Sequence, residues 1–313
     1  MHYYNADPNQ RKALPPFESN PRLNDPALYQ PAPELADAVN VALTLGLPLL
    51  LTGEPGTGKT ELARHIAWFF DLGELIRFNV QTTSSANDLF YQYDALAHFQ
   101  YSQNNAEPLT PDELERRFIR YQALGKAIQS GQRRVVLLDE IDKAPRDLPN
   151  DVLAALEDLE FYVPELDKWQ RTDDANRPVI VLTSNTEKNL PDAFLRRVVY
   201  YNIEFPGPDK LLKIVAAKVK DPGAADSAFD ANLEALIGHF EDLRDDGGLK
   251  WQKKPATAEL IQWAWLLKQS GFDPALLEHP GRLDEEARRQ LLRSYSVLAK
   301  TREDLAALRK RLK

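Results

Sequence analysis

Short aliphatic and β-branched runs recur through the first two thirds of the chain, at residues 47–52, 75–80, 134–138, 179–183 and 198–203. Their positions are apolar in succession rather than in alternation, which predicts strands of a parallel sheet buried on both faces. Helical patterns separate the runs. The first begins at Pro33, with Leu35, Val39, Ala42 and Leu43 on one face and Gly46 just past its end. This strand–helix alternation predicts an α/β, doubly wound core with helices on both faces of the sheet. Behind Phe205-Pro206-Gly207-Pro208 the strand pattern stops. Residues 209–220, 232–244, 257–270, 284–299 and 302–313 all carry helical periodicity. The expected organisation is therefore a proline-rich arm over 1–31, an α/β domain over 32–206 and an all-helical lid domain over 207–313.

The chemistry concentrates where two of these strands end. After the first, the chain reads Gly53-Glu54-Pro55-Gly56-Thr57-Gly58-Lys59-Thr60 and then enters a helical pattern at Glu61. Strand, glycine-rich turn, Lys-Thr and helix is the layout of a phosphate-binding loop, and makes the core a P-loop nucleotide-binding fold. The glycines let Glu54, Pro55, Gly56, Thr57 and Gly58 wrap backbone amides around an anionic phosphate chain at a helix N-terminus. Lys59 is expected to reach the β and γ phosphates of ATP, and the Thr60 hydroxyl to ligate Mg²⁺.

The third run, Arg134-Val135-Val136-Leu137-Leu138, ends in Asp139-Glu140. An apolar strand that ends in two acids delivers both carboxylates to the carboxyl edge of the sheet, where such folds bind their ligands. Asp139 suits the Mg²⁺ shell, directly or through water. Glu140 suits a general base for the attacking water.

Charge and composition narrow the partners. A net charge of −8 and an isoelectric point near 5.3 argue against a nucleic-acid or anionic-membrane surface as the main partner. The absence of cysteine excludes disulfides, thiolate nucleophiles and Cys-ligated metals, and the five histidines stand far apart. The N-terminus shows no basic segment followed by an apolar one, and no run reaches membrane-spanning length, so a cytoplasmic protein without membrane insertion is expected.

The loop, the segment 135–140 with the following Ile141-Asp142-Lys143-Ala144, and the strand end Thr183-Ser184-Asn185 together resemble an AAA+ ATPase. The Asp-Glu-Ile-Asp-Lys-Ala run and the size resemble its MoxR branch more specifically, over roughly residues 33–310. The resemblance implies that Asn185 is the sensor of the γ-phosphate or the lytic water. It implies that Asp192-Ala193-Phe194-Leu195-Arg196-Arg197 supplies an arginine finger to a neighbouring subunit, with Arg197 the first candidate and Arg196 the second. Two arginines after a short helix are otherwise a favourable charge on its dipole. The resemblance further implies a homo-oligomer, expected as a hexameric ring, and a protein client, in that branch often one with a von Willebrand A-type domain.

The sequence departs from the family pattern twice. Where a second sensor arginine would precede a proline in the lid, it has Lys253-Lys254-Pro255, so either Lys254 or Lys253 takes that role or the position is empty, with Arg282 next in line. A long interval also separates Lys59 from Asp139, which marks 84–132 as a helical insertion. Its Phe99 and Tyr101 are candidate client contacts or ordinary packing, while Trp251, Trp263 and Trp265 read as lid core. The function expected is Mg²⁺-dependent ATP hydrolysis that remodels a partner protein. The competing readings are a nucleic-acid motor or loader, which would want a basic stripe that the insertion lacks, a nucleotide-gated scaffold with little turnover, which would not need Glu140, and a small-molecule kinase, for which no acceptor site is apparent.

Overall fold

A computed structural model describes residues 13, 14, 16, 17, 19–104, 109–145, 148–158, 160–186, 190–220, 227–245 and 248–312. The first twelve residues of the proline-rich arm and Lys313 of the last predicted helix lie outside them. The chain divides into two compact units, one of residues 31–54 and 59–204, the other of residues 1–30, 55–58 and 205–313.

In the first unit α1 (Pro33–Leu45) leads into β1 (Leu49–Gly53), and α2 (Lys59–Phe69) leads to β2 (Ile76–Asn79). Gly46, at φ 64°, ends α1 in the left-handed conformation that releases the chain toward β1. There follow α3 (Asn87–Phe90), β3 (Tyr91–Tyr93), α4 (Ala95–Asn104), α5 (Pro111–Phe118), β4 (Ile119–Tyr121) and α6 (Ala123–Gln129). Then come β5 (Val135–Asp139), α7 (Leu148–Asp158), β6 (Glu160–Val163), β7 (Lys168–Arg171), β8 (Val179–Thr183), α8 (Asp192–Leu195) and β9 (Val199–Ile203).

Five of these strands, in the order β2-β5-β8-β1-β9, form the parallel sheet that the apolar runs predict. The three middle strands are buried nearly throughout: Leu50, Leu51, Val135 to Leu138 and Val181 have no exposed surface. Truncating one of these, Leu137→Ala for instance, costs about 2–5 kcal/mol. The two edge strands correct the reading of all five as apolar on both faces. β2 alternates half-buried with exposed positions, and β9 does so up to Ile203, because each has a neighbour on one side only.

A further correction concerns the long interval, and another the stretch between β5 and β8. The stretch 84–132 is not wholly helical, since β3 and β4 pair antiparallel with Tyr91 opposite Tyr121. β6 and β7 form a second hairpin, with Tyr162 opposite Trp169. Strands of three or four residues carry too few positions to show a period. The interval is nonetheless firmly packed: Phe90 stacks on Phe161 with ring centroids 4.9 Å apart. In α6 a Cβ on Gly125 would stand 1.9 Å from the Phe90 carbonyl oxygen, so only glycine allows that approach.

The second unit is helical: α9 (Pro208–Val219), α10 (Ala228–Ala231), α11 (Leu233–Asp245), α12 (Thr257–Gln269), α13 (Glu285–Leu298) and α14 (Arg302–Arg311). Its core holds Phe240, Trp263, Tyr295 and the aliphatic faces of these helices, with Trp251 and Trp265 packed against it. All three tryptophans thus serve this core. The indole N–H of Trp263 donates to Ser294 Oγ at 2.7 Å and that of Trp251 to the Leu243 carbonyl at 2.9 Å. Residues 20–23 of the arm are fastened to the same unit. Asn20 Nδ2 donates to the Lys218 carbonyl and the Arg22 guanidinium to the Ala217 carbonyl, while Lys218 Nζ donates back to the Leu23 carbonyl at 2.8 Å. The last carbonyls of α9, which no helical amide can reach, are satisfied in this way.

Candidate functional site

The strand order explains why distant motifs meet. β5, β8 and β1 are the three central neighbours, so the segments that leave their carboxyl ends lie side by side. They are the strand-end acids, the Thr183-Ser184-Asn185 turn and the Gly53-Glu54 start of the phosphate loop.

Within the loop, Gly56 and Gly58 have φ of 78° and 94°, which side chains with a Cβ rarely tolerate. α2 begins at Lys59, in the arrangement that aims free amides and the positive helix end at an anion. Lys59 is buried, and its Nζ donates to the carbonyl oxygens of Gly53 at 2.7 Å and Glu54 at 3.0 Å. The same Nζ lies 3.5 Å from Asn185 Oδ1, so the structure joins two residues 126 positions apart. Burial holds the Lys59 ammonium below the usual lysine range, while the negative charges of Asp139, Asp142 and Glu140 oppose that shift. Three acids are therefore near enough to act on this one ammonium.

Asp139 is buried at the end of β5, with both carboxylate oxygens engaged: Oδ1 accepts from the Thr183 hydroxyl and Oδ2 from Arg77 Nη2 at 2.5 Å. Glu140 takes the left-handed conformation, φ 63° and ψ 49°. Such a backbone is strained for a residue with a side chain, and non-glycine residues so held concentrate at functional positions. The Glu140 N–H donates to Thr183 Oγ1 at 3.0 Å, and Lys143 Nζ sits 2.6 Å from Glu140 Oε2. The ion pair raises the Lys143 ammonium above its ordinary range. The Glu140 carboxylate is 41% exposed, in contrast to its buried neighbour. One acid is thus fixed inside the sheet end, and the other stands where water reaches it.

Residues 48–198 match the AAA domain (dynein-related subfamily). The matched stretch contains the loop, both acids, Asn185 and the arginine pair, and it supports a nucleotide-binding AAA+ core. The chain is also 28% identical to the uncharacterized protein YehL of Escherichia coli (strain K12), across 84% of this chain and 76% of that protein.

Among the described residues, no group of three or more His, Cys, Asp or Glu side chains could cage a metal ion by itself. The Asp139 carboxylate and Thr60 hydroxyl are hard oxygen donors, too few for a protein-only cage but suited to Mg²⁺ that arrives on nucleotide phosphates. The donor chemistry of these two side chains fits that ion. No helix among the described residues is long and apolar enough to cross a membrane.

Other predicted site residues stand apart from this cluster. Arg196 and Arg197 are exposed beyond α8, a single turn, and Arg197 Nε lies 3.5 Å from Glu157 Oε1. In the helical unit, Lys254 Nζ lies 3.8 Å from Asp245 Oδ1, whereas Lys253 uses its backbone N–H on Asp304 Oδ2. Arg282 is exposed, its N–H on the His279 carbonyl. Phe99 is 62% exposed, and Tyr101 packs against Phe118 beneath the Arg117 guanidinium.

Sequence reasoning did not assign roles to Thr183, Arg77 or Lys143. The first and third lie inside quoted motifs, and their polar character at a strand end was a usable signal. Arg77 carried none beyond its place as the one charged residue of the run 75–80.

Proposed function

We propose that the protein is an ATPase of AAA+ type that hydrolyses Mg²⁺-bound ATP and uses the cycle to remodel or mature a partner protein. The observation that carries this reading is the contact of Lys59 with Asn185, a loop lysine and a strand-end amide on one locus, beside an exposed acid at Glu140. Lys59 and the loop amides bind the phosphates. When bound, Mg²⁺ supplies charge neutralisation on the phosphate oxygens, with Thr60 and Asp139 as its protein oxygens. Glu140 accepts a proton from water, and Asn185 orients that water or the γ-phosphate.

The segment 139–144 supports the finer reading of a MoxR-like role. On that reading the active form is a homo-oligomer, a hexameric ring, in which Arg197 of one subunit, or failing it Arg196, completes its neighbour's site. The client is a protein, of the kind that carries a von Willebrand A-type domain. Lys254 serves as the second sensor, and the protein works in the cytoplasm.

Nucleotide binding and turnover by Lys59→Ala and Glu140→Gln test the core of the proposal. Lys59→Ala is expected to lose ATP binding. Glu140→Gln is expected to bind ATP and not hydrolyse it, because Lys59 holds phosphate while Glu140 acts only on water. Wild-type turnover in Glu140→Gln would remove the base from this mechanism, whereas ATP binding without turnover in the wild type itself would favour a nucleotide-gated scaffold.

A further inference from the structure

Each of the two strand-end acids is held by a cation of its own. Glu140 has Lys143, which follows it by three residues, whereas Asp139 has Arg77, which comes from another strand. Lys59 feels the charge of both acids, but its hydrogen bonds go to the Gly53 and Glu54 carbonyls and to Asn185.

We propose that Arg77 is the resident counter-cation of Asp139, a positioning residue that pairs with the buried carboxylate and orients it, and yields it when a metal–nucleotide binds. The inference rests on the reading of this locus as an Mg²⁺–nucleotide site. A carboxylate buried at a strand end without a compensating charge is expensive, and the neutral hydroxyl of Thr183 on Oδ1 does not supply one. Arg77 does so on Oδ2.

Strand geometry puts it in reach. Arg77 is paired with Leu137 in register, and the two-residue period of β5 returns Asp139 to the same face two positions further on. The exposures of the two partners differ: the Arg77 side chain is 44% exposed and that of Asp139 only 11%. The arginine therefore reaches in from solvent, and its withdrawal costs no burial of its own charge. A guanidinium and a divalent cation compete for the same carboxylate charge, so Arg77 sets how much Mg²⁺ is needed to occupy the site.

The test is a Mg²⁺ titration of the binding of a fluorescent ATP analogue to the full chain, in wild type, Arg77→Gln, Arg77→Met and Arg77→Lys. Both neutral variants should reach half-saturation at Mg²⁺ concentrations roughly threefold or more below wild type, with analogue affinity in EDTA changed less than about twofold. Arg77→Lys, which keeps the charge, should titrate within about twofold of wild type. Thermal unfolding gives an independent readout: without metal the neutral variants should melt below wild type, and a saturating Mg²⁺–ADP complex should narrow the gap. Where Arg77→Gln does not fold, Arg77→Met, which keeps the aliphatic stem, decides the matter. Equal Mg²⁺ midpoints in wild type and the neutral variants, or a higher one in the variants, overturn the inference and leave the nucleotide reading intact. If wild type binds no analogue at saturating Mg²⁺, both readings fall.

Discussion

Thr183 Oγ1 accepts the backbone N–H of Glu140 at 3.0 Å, and the same hydroxyl donates to Asp139 Oδ1. One side chain on β8 thus fixes the left-handed backbone of the exposed acid and the carboxylate of the buried one. Thr183→Val keeps the shape and removes both bonds. Turnover should fall at least tenfold with nucleotide affinity changed only a few-fold, and stability should drop by about 1–3 kcal/mol, the cost of leaving buried groups unpaired. Thr183→Ser should recover most of each. Turnover, nucleotide titration and urea unfolding of the two variants measure this, and unaltered turnover in the valine variant would separate Thr183 from the chemistry.

Among the described residues, the Arg197 guanidinium lies beside Glu157 on an exposed segment and pairs with neither strand-end acid. If a neighbour supplies the finger, Arg197→Ala and Glu140→Gln should each be inactive alone. Mixed assemblies should regain turnover at seams that combine an intact Glu140 with an intact Arg197. Co-assembly without recovery assigns the role elsewhere, with Arg196 the next variant to mix.

Lys254 is half exposed, and its ammonium lies 3.8 Å from the Asp245 carboxylate. As second sensor it should be worth about tenfold in ATP affinity or turnover, equivalent to ~1.4 kcal/mol. Lys254→Ala and Lys253→Ala, assayed side by side, check this. Wild-type behaviour of both moves the search to Arg282.

His239 links stability to pH. Burial pushes its imidazole down to about 4, and it shares a 2.9 Å hydrogen bond with the Tyr295 hydroxyl inside the helical core. The folded chain keeps it neutral down to that pH, while the unfolded chain protonates it near 6.5. Between these values the unfolded state binds the extra proton, so stability falls as pH falls, by about 1.4 kcal/mol per pH unit from this group. Urea midpoints of wild type and His239→Phe from pH 7 to 4 should show a shallower decline in the variant. Parallel curves would assign the acid sensitivity to other groups.

The local motifs were legible because their chemistry is local. A glycine-rich turn between an apolar run and a helix dictates where Lys59 must stand, and two acids after Leu138 must emerge at a sheet end. The five parallel strands followed from uninterrupted burial in β1, β5 and β8, though not the half-exposed edges of β2 and β9, since a strand's place in the sheet depends on partners far along the chain. β3 and β4, three residues each, left no period to read. Tertiary structure alone decided which side chains serve the acids. Arg77 meets Asp139 because β2 pairs with β5 in one register, and Thr183 spans both acids because β8 lies beside β5. A shift of one residue in either pairing would turn these side chains to the opposite face of the sheet, and register is set by the packing of the whole core rather than by any segment of the sequence.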